Sequence, residues 1–267
     1  MLFRNSRRSE FSPSAFGLAV LLSLSGCFSP RFSPPGVPQG MTQSQEICHE
    51  IMTQRTAPTS LRVLADATLK HGSDSASFRY AIVRQAPDSF RVDVLPPAGT
   101  FAYTIGLFVY HEGRAVWLDA VEKRYTEARG EEELFERFIG LPGITRQVVE
   151  GLLDGTVPQL RCPSMKVFEQ PNGDILLVDP IAKLAWRVLK RTPRIQEVLV
   201  LDASGERIAV KGTIDYSDSG RPQRVTLEVF KPVEASGELT LTKVVKNPTL
   251  SSELFEVEPP ANYERVE

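Results

Sequence analysis

The chain has 267 residues, 42% of them hydrophobic, and a formal net charge of −2 at pH 7, which suits one domain with a proper core. Its 31 Lys and Arg are balanced by 33 Asp and Glu, and no basic stripe speaks for nucleic acid. His49, His71 and His111 stand far apart, so no metal or cofactor site is expected from them.

Residues 1–26 have the make-up of an export signal. Arg4, Arg7 and Arg8 form a basic start, and Ala15 to Leu22 form an apolar run of roughly ten residues, where a spanning helix needs about twenty. The run ends at Leu24-Ser25-Gly26-Cys27, which matches the bacterial lipobox. Small side chains admit the signal peptidase, and the Cys27 thiol accepts a diacylglyceryl group. Arg7-Arg8 hints at twin-arginine export, but the Phe expected two residues later is displaced to Phe11, which favours the general secretory route. Cleavage before Cys27 removes three Arg and one Glu and takes the net charge from −2 to −4. Acyl chains (palmitate among them) hold by about 0.8 kcal/mol per buried methylene, so several on one Cys make a lasting anchor. Phe28 stands where inner-membrane lipoproteins of enteric bacteria carry Asp. That points to the outer membrane, with the body facing the periplasm.

Residues 27–43 are rich in Pro, Ser and Gly and make a semi-extended tether; the folded body spans residues 44–267. Ser44 can cap a short helix through Arg55, with Ile47, Cys48 and Ile51 on one face. From Ser60 the period becomes two. Leu61, Val63, Ala65, Ala67 and Leu69 alternate with polar residues; so do Phe78, Tyr80 and Ile82, and Phe90, Val92 and Val94. Gly72-Ser73-Asp74, Pro87-Asp88 and Pro96 to Gly99 supply the turns. Strands follow at Thr100 to Val109, Ala115 to Ala120 and Lys123 to Thr126. A helix starts at Gly130 with Glu131, Glu132 and Glu133 at the positive end of its dipole, and Leu134, Phe135, Phe138, Ile139 and Leu141 form its apolar face. Thr145 to Leu153 makes a second helix. Strands resume at Lys166 to Glu169, Asp174 to Val178, Leu184 to Leu189, Ile195 to Asp202, Arg207 to Tyr216, Gln223 to Lys231 and Glu238 to Lys246. Asn172-Gly173 and Ala203-Ser204-Gly205 are hairpin turns. The count is on the order of ten strands, a mainly β (α+β) fold built on one large curved sheet or partial barrel.

Besides Cys27, the chain has Cys48 and Cys162. In an oxidising compartment they form either a disulfide or two buried thiols, and spacing does not decide between them. No GxSxG, HExxH, P-loop or CxxC motif is present, and no paired acid and base stands out, so the chain does not read as an enzyme.

The order of lipobox, tether, helix, meander, two helices and further strands resembles the LolA/LolB lipoprotein-localisation superfamily, and within it the LolB receptor branch. The motifs that carry the likeness are Phe90-Arg91-Val92, Pro97-Ala98-Gly99-Thr100, Leu118 and Arg124-Tyr125. Ile139-Gly140-Leu141-Pro142, Val148, Gly151-Leu152-Leu153 and the ending Leu254 to Pro260 add to it. The resemblance implies an open half-barrel of antiparallel strands wrapped around short helices, with acyl chains of lipoprotein cargo bound between them. It further implies a terminal strand before the closing prolines, and partners in acylated lipoproteins and a LolA-like periplasmic carrier. Phe78, Tyr80, Phe90, Tyr103 and Ile105 would line the sheet, and Phe135, Phe138 and Ile139 would face them. The likeness departs at the loop tip, where the receptor carries an exposed Leu and this chain has Ala98 between Pro97 and Gly99. Two other functions stand beside a lipid carrier. One is a structural or assembly lipoprotein that binds a protein partner on the same fold, and the other is an unrecognised periplasmic enzyme.

Overall fold

Period-two alternation from Ser60 onward becomes a continuous antiparallel meander in the structure, a computed structural model. It describes residues 29–54, 57–97, 103–130, 135, 138, 144–158, 160–231 and 234–266. The signal segment, Cys27, Ala98, Gly99 and Ile139 lie outside the described residues.

The first half contains β1 (Val37–Pro38), α1 (Met41–Gln54), β2 (Ser60–His71), β3 (Asp74–Gln85), β4 (Ser89–Leu95), β5 (Gly106–His111), β6 (Arg114–Asp119) and β7 (Arg124–Arg129). After α2 (Arg146–Asp154) come β8 (Lys166–Glu169), β9 (Asp174–Asp179), β10 (Leu184–Leu189), β11 (Ile195–Leu201), β12 (Ile208–Tyr216), β13 (Pro222–Val229), β14 (Ala235–Lys246) and β15 (Glu264–Arg265). The strands pair in the order β1-β8-β9-β10-β11-β12-β13-β14-β2-β3-β4-β5-β6-β7-β15. This is an open, unclosed sheet, the half-barrel that the resemblance implied. The last long strand, β14, pairs with the first long strand, β2, and so joins the two halves of the meander into one sheet.

Strand alternation gives the sheet two apolar faces. The inner face carries the main core, with Leu61, Val63, Phe90, Phe108, Trp186 and Ile195 buried beneath the helices. Two smaller clusters cover the outer face, one at each flank. Phe255 packs on Val83, Val109 and Val116, and Phe32 packs on Leu176, Ala185 and Leu199. Both termini therefore strap the outside of the sheet. The ending forms a 3-10 turn at Ser252–Phe255 where a terminal strand was implied. Burying Phe255 in the flank requires a turn there, and the Ser251 hydroxyl caps it by accepting from Glu253 N.

The described part of the tether, residues 29–40, is extended but fastened. Ser29 is buried and donates to the Ile208 carbonyl. Ile208 N donates to Pro30 O at 2.9 Å and Phe32 N to Glu206 O at 2.6 Å. Gly36 has φ +100°, and a Cβ there would collide with the Glu169 carbonyl, so only glycine lets the chain pass β8. Helix α1 begins at Met41, three residues before the expected cap. Ser44 N already donates to Gly40 O at 2.8 Å, which places Ser44 inside the helix. Cys48 of α1 and Cys162 are joined by a disulfide, with Cα atoms 5.5 Å apart.

The hairpin turns fall at two ends. The turns at residues 72–73, 120–123, 180–183 and 202–207, and the described residues 96–97, 103–105, 230–231 and 234 between their strands, share the end from which Ser29 leads back toward Cys27, here termed proximal. Turns at 86–88, 112–113, 170–173, 190–194 and 217–221 mark the distal end.

Candidate functional site

The inner face is filled unevenly along its length. Toward the distal end, register stacks Leu61, Arg84, Phe90 and Tyr110 across β2 to β5, and next Val63, Ile82, Val92 and Phe108. Phe135 closes on this region from a helical position, edge-on to Phe90 at 5.8 Å and to Phe108 at 5.1 Å. Phe138 stacks on Phe108 at 5.3 Å and meets Trp117 at 6.4 Å. Such pairs contribute roughly 0.5–1.5 kcal/mol beyond burial. The aromatic floor is thus packed core.

Toward the proximal end the same face is lined by small residues and only half covered. Ala65 lies opposite Tyr80 and Leu241, Ala67 opposite Phe78 and Leu239, and Leu69 opposite Gly237. Leu69, Phe78, Tyr80, Leu227 and Leu239 are half-buried, although each belongs to the apolar set. Gly237 leaves room between neighbours, since a Cβ there would come within 3.0 Å of the Leu69 side chain. Burial pushes the Tyr80 phenol up to about 12, as expected of a hydroxyl set among apolar neighbours. A stripe of partly exposed Leu and aromatic residues above Ala and Gly is chemically suited to hydrocarbon, with no charge on it to be desolvated.

The residues singled out from the sequence divide accordingly. Phe78 and Tyr80 belong to the proximal stripe. Phe90 and Phe135 are fully buried, and Phe138 packs against the same core, so these three form the floor of the sheet and not an open lining. Ile105 precedes β5 with the register parity of Leu107, on the outer side. Tyr103 is 60% exposed at the proximal end, because the described residues 103–105 form no strand and β5 begins at Gly106. Pro97 is exposed at the same end. Leu227 and Leu239 were missed because they lie in the second half of the chain. The available signal was the small residues Ala65, Ala67 and Gly237 in otherwise β-rich segments.

The distal end holds a buried polar network. Arg84, whose side chain is 6% exposed, pairs with Glu150 at 3.2 Å and with Asp154 at 3.9 Å, and donates to the Pro58 carbonyl. Arg146 pairs with Glu150 at 2.9 Å and lies over the Tyr110 ring. Helix α2 presents Arg146, Glu150 and Asp154 at i, i+4 and i+8, one face that the sequence displays. A polar cleft of about 380 Å³ opens beside it, lined by Asp154, Arg191, Arg194, Tyr216 and Lys246 among others. Asp154 Oδ1 accepts from Thr156 N at 2.7 Å, and Oδ2 faces Arg84. Its burial raises the carboxyl pKa, against the Thr156 hydrogen bonds and Arg84. The carboxylate ties α2 to the sheet through Arg84 and to the following loop through Thr156. Among the described residues, no group of three His, Cys, Asp or Glu could hold a metal. Among them, too, no helix is long and apolar enough to cross a membrane.

No family model matches the sequence, and no curated protein does. Solved structures do match the fold. A domain of an outer membrane lipoprotein-sorting protein from Vibrio parahaemolyticus superposes with TM-score 0.56 at 11% identity, over 81% of this chain and 97% of that one. A DUF1329 family protein from Desulfovibrio piger gives 0.58 at 10% identity, over 81% and 97%. A LolA superfamily protein from Nitrosomonas europaea gives 0.52 at 12% identity, over 80% and 97%. At such identities the likeness is one of fold. The chain has the fold of LolA-superfamily and lipoprotein-sorting domains.

Proposed function

We propose that this chain is a lipoprotein anchored through Cys27 in the outer membrane, which shelters acyl chains of lipoprotein cargo on its inner face and passes them to the membrane. The observation that carries the reading is the proximal stripe of Leu69, Phe78, Tyr80, Leu227 and Leu239, half-buried over Ala65, Ala67 and Gly237. An acyl chain laid on it loses water contact at about 0.8 kcal/mol per methylene, and no charged group has to be dehydrated. The structural neighbours described as lipoprotein-sorting and LolA-superfamily proteins support the same class of ligand. A LolA-like periplasmic carrier is the donor that such a role calls for. The reading does not require the LolB branch, because Ala98 at the loop tip buries too little apolar surface to drive insertion as a Leu would.

The test is binding of a fluorescent fatty acid and of a triacylated peptide. Phe78→Glu and Leu239→Glu introduce charges at half-exposed positions of β3 and β14, the strands on either side of β2, so both variants should melt near the wild-type temperature while losing either probe. Wild-type protein that binds neither probe would transfer the fold to the rival role, a scaffold for a protein partner.

A further inference from the structure

Two proximal turns are built alike although they lie toward opposite flanks of the sheet. In Asp119-Ala120-Val121-Glu122-Lys123, between β6 and β7, the Asp119 carboxylate accepts from Val121 N at 2.9 Å and Glu122 N at 3.0 Å. In Asp179-Pro180-Ile181-Ala182-Lys183, between β9 and β10, Asp179 accepts from Ile181 N and Ala182 N, both at 2.9 Å. Each turn ends on a lysine with positive φ, 54° at Lys123 and 57° at Lys183. Each also thrusts a β-branched apolar residue into solvent, Val121 at 56% and Ile181 at 74% exposure. An apolar tip beside a lysine is an arrangement that meets a bilayer surface well, hydrocarbon inward and ammonium against phosphate. Tyr103, exposed at the same end, adds an aromatic of the kind enriched at that interface.

The chain itself indicates which surface these tips face. Ser29 is fixed to the proximal end by its bond to the Ile208 carbonyl and by Arg207 Nη1 reaching Ser29 O at 3.3 Å. Two residues of chain carry Cys27 no further than about 7 Å from there. An acylated Cys27 would therefore hold the proximal turns close to the lipid, without a long free tether. We propose that the proximal end of the sheet rests on the bilayer, with Val121 and Ile181 as apolar footholds and Lys123 and Lys183 against lipid phosphates. This orientation rests on Cys27 being the acylated residue. It turns the open end of the Leu69–Phe78–Tyr80 stripe toward the membrane, so a chain leaving the inner face enters lipid directly. Of the acids in the two turns, Asp119 and Asp179 are bonded to their own turn backbone, and Glu122 is exposed and free to turn to water.

Full-length protein acylated in a bacterial host tests this. Val121→Cys, Ile181→Cys and, at a distal turn, Ser219→Cys are labelled with bimane and reconstituted in phosphatidylethanolamine–phosphatidylglycerol vesicles containing brominated acyl chains. Emission at 121 and 181 should shift to the blue and be quenched by bromine, while 219 stays solvent-like and unquenched. Palmitate incorporation is read on the same samples. Solvent-like emission at 121 and 181 in palmitoylated protein overturns the orientation and leaves the anchor reading intact. Absence of palmitate overturns both, because nothing then holds Ser29 at the lipid. All three sites lie on exposed turns, and unchanged thermal melts confirm that the labelled proteins are folded.

Discussion

Arg84 is a buried charge held on the inner face between two carboxylates, Glu150 and Asp154, and removing one partner of such a group leaves the others charged and dehydrated. Arg84→Met should therefore cost about 3–5 kcal/mol of stability at neutral pH, read by urea denaturation. The pH dependence has a definite sign. Burial raises the folded pKa of Asp154, so the native state holds that proton more tightly than the unfolded chain does. Its contribution is fully present below the unfolded pKa and is lost as pH rises through the raised folded value. Arg84 opposes that rise, so its loss moves the folded pKa higher. The deficit of Arg84→Met should then shrink in mildly acidic buffer, and a deficit independent of pH would remove Asp154 from the explanation. None of this was legible residue by residue, because an arginine in an alternating strand has the same pattern whether it faces water or a helix.

At the scale of elements, local pattern was enough for most strands and failed where a segment borrows its order from elsewhere. β2 and β3 each run to 12 residues, with Gly72 and Ser73 as the turn between them, as the alternation implied. Residues 29–40 lack any periodic pattern, yet they are ordered by β8, β12 and the outer flank, because backbone groups without local partners took them from a neighbouring edge. Helix α1 packs on the core through Cys48 and Ile51 with Ile47 and Met52 beside them, and the Cys48–Cys162 disulfide closes a sequence separation of 114 residues. Cys48→Ala should lower stability by about 2–5 kcal/mol, as for loss of a native disulfide that closes a long loop. Thiol labelling of the denatured, unreduced protein should find Cys48 and Cys162 unreactive, and two titratable thiols there would cancel the expectation.

At the scale of the whole molecule, one sheet carries a packed distal core and a half-covered apolar stripe at its proximal end. Phe90, Phe108 and Phe135 anchor the distal half, while the proximal stripe leaves apolar surface half covered. On the proposed reading, the anchor at Cys27 places this division in the cell. Cys27→Ala should abolish palmitate incorporation and leave an unprocessed or soluble export product; a variant that still fractionates with the outer membrane and takes up label would defeat the lipobox reading. The sequence by itself determined the alternation that makes an antiparallel half-barrel and the place of α2, because each is written in neighbouring residues. Only the tertiary structure decided that Phe90 and Phe135 are core, that Leu227 and Leu239 join Phe78 and Tyr80, and that Val121 and Ile181 share one end. The second of these depends on strand register between segments more than a hundred residues apart, settled where β14 pairs with β2, because that pairing is not written in either segment alone.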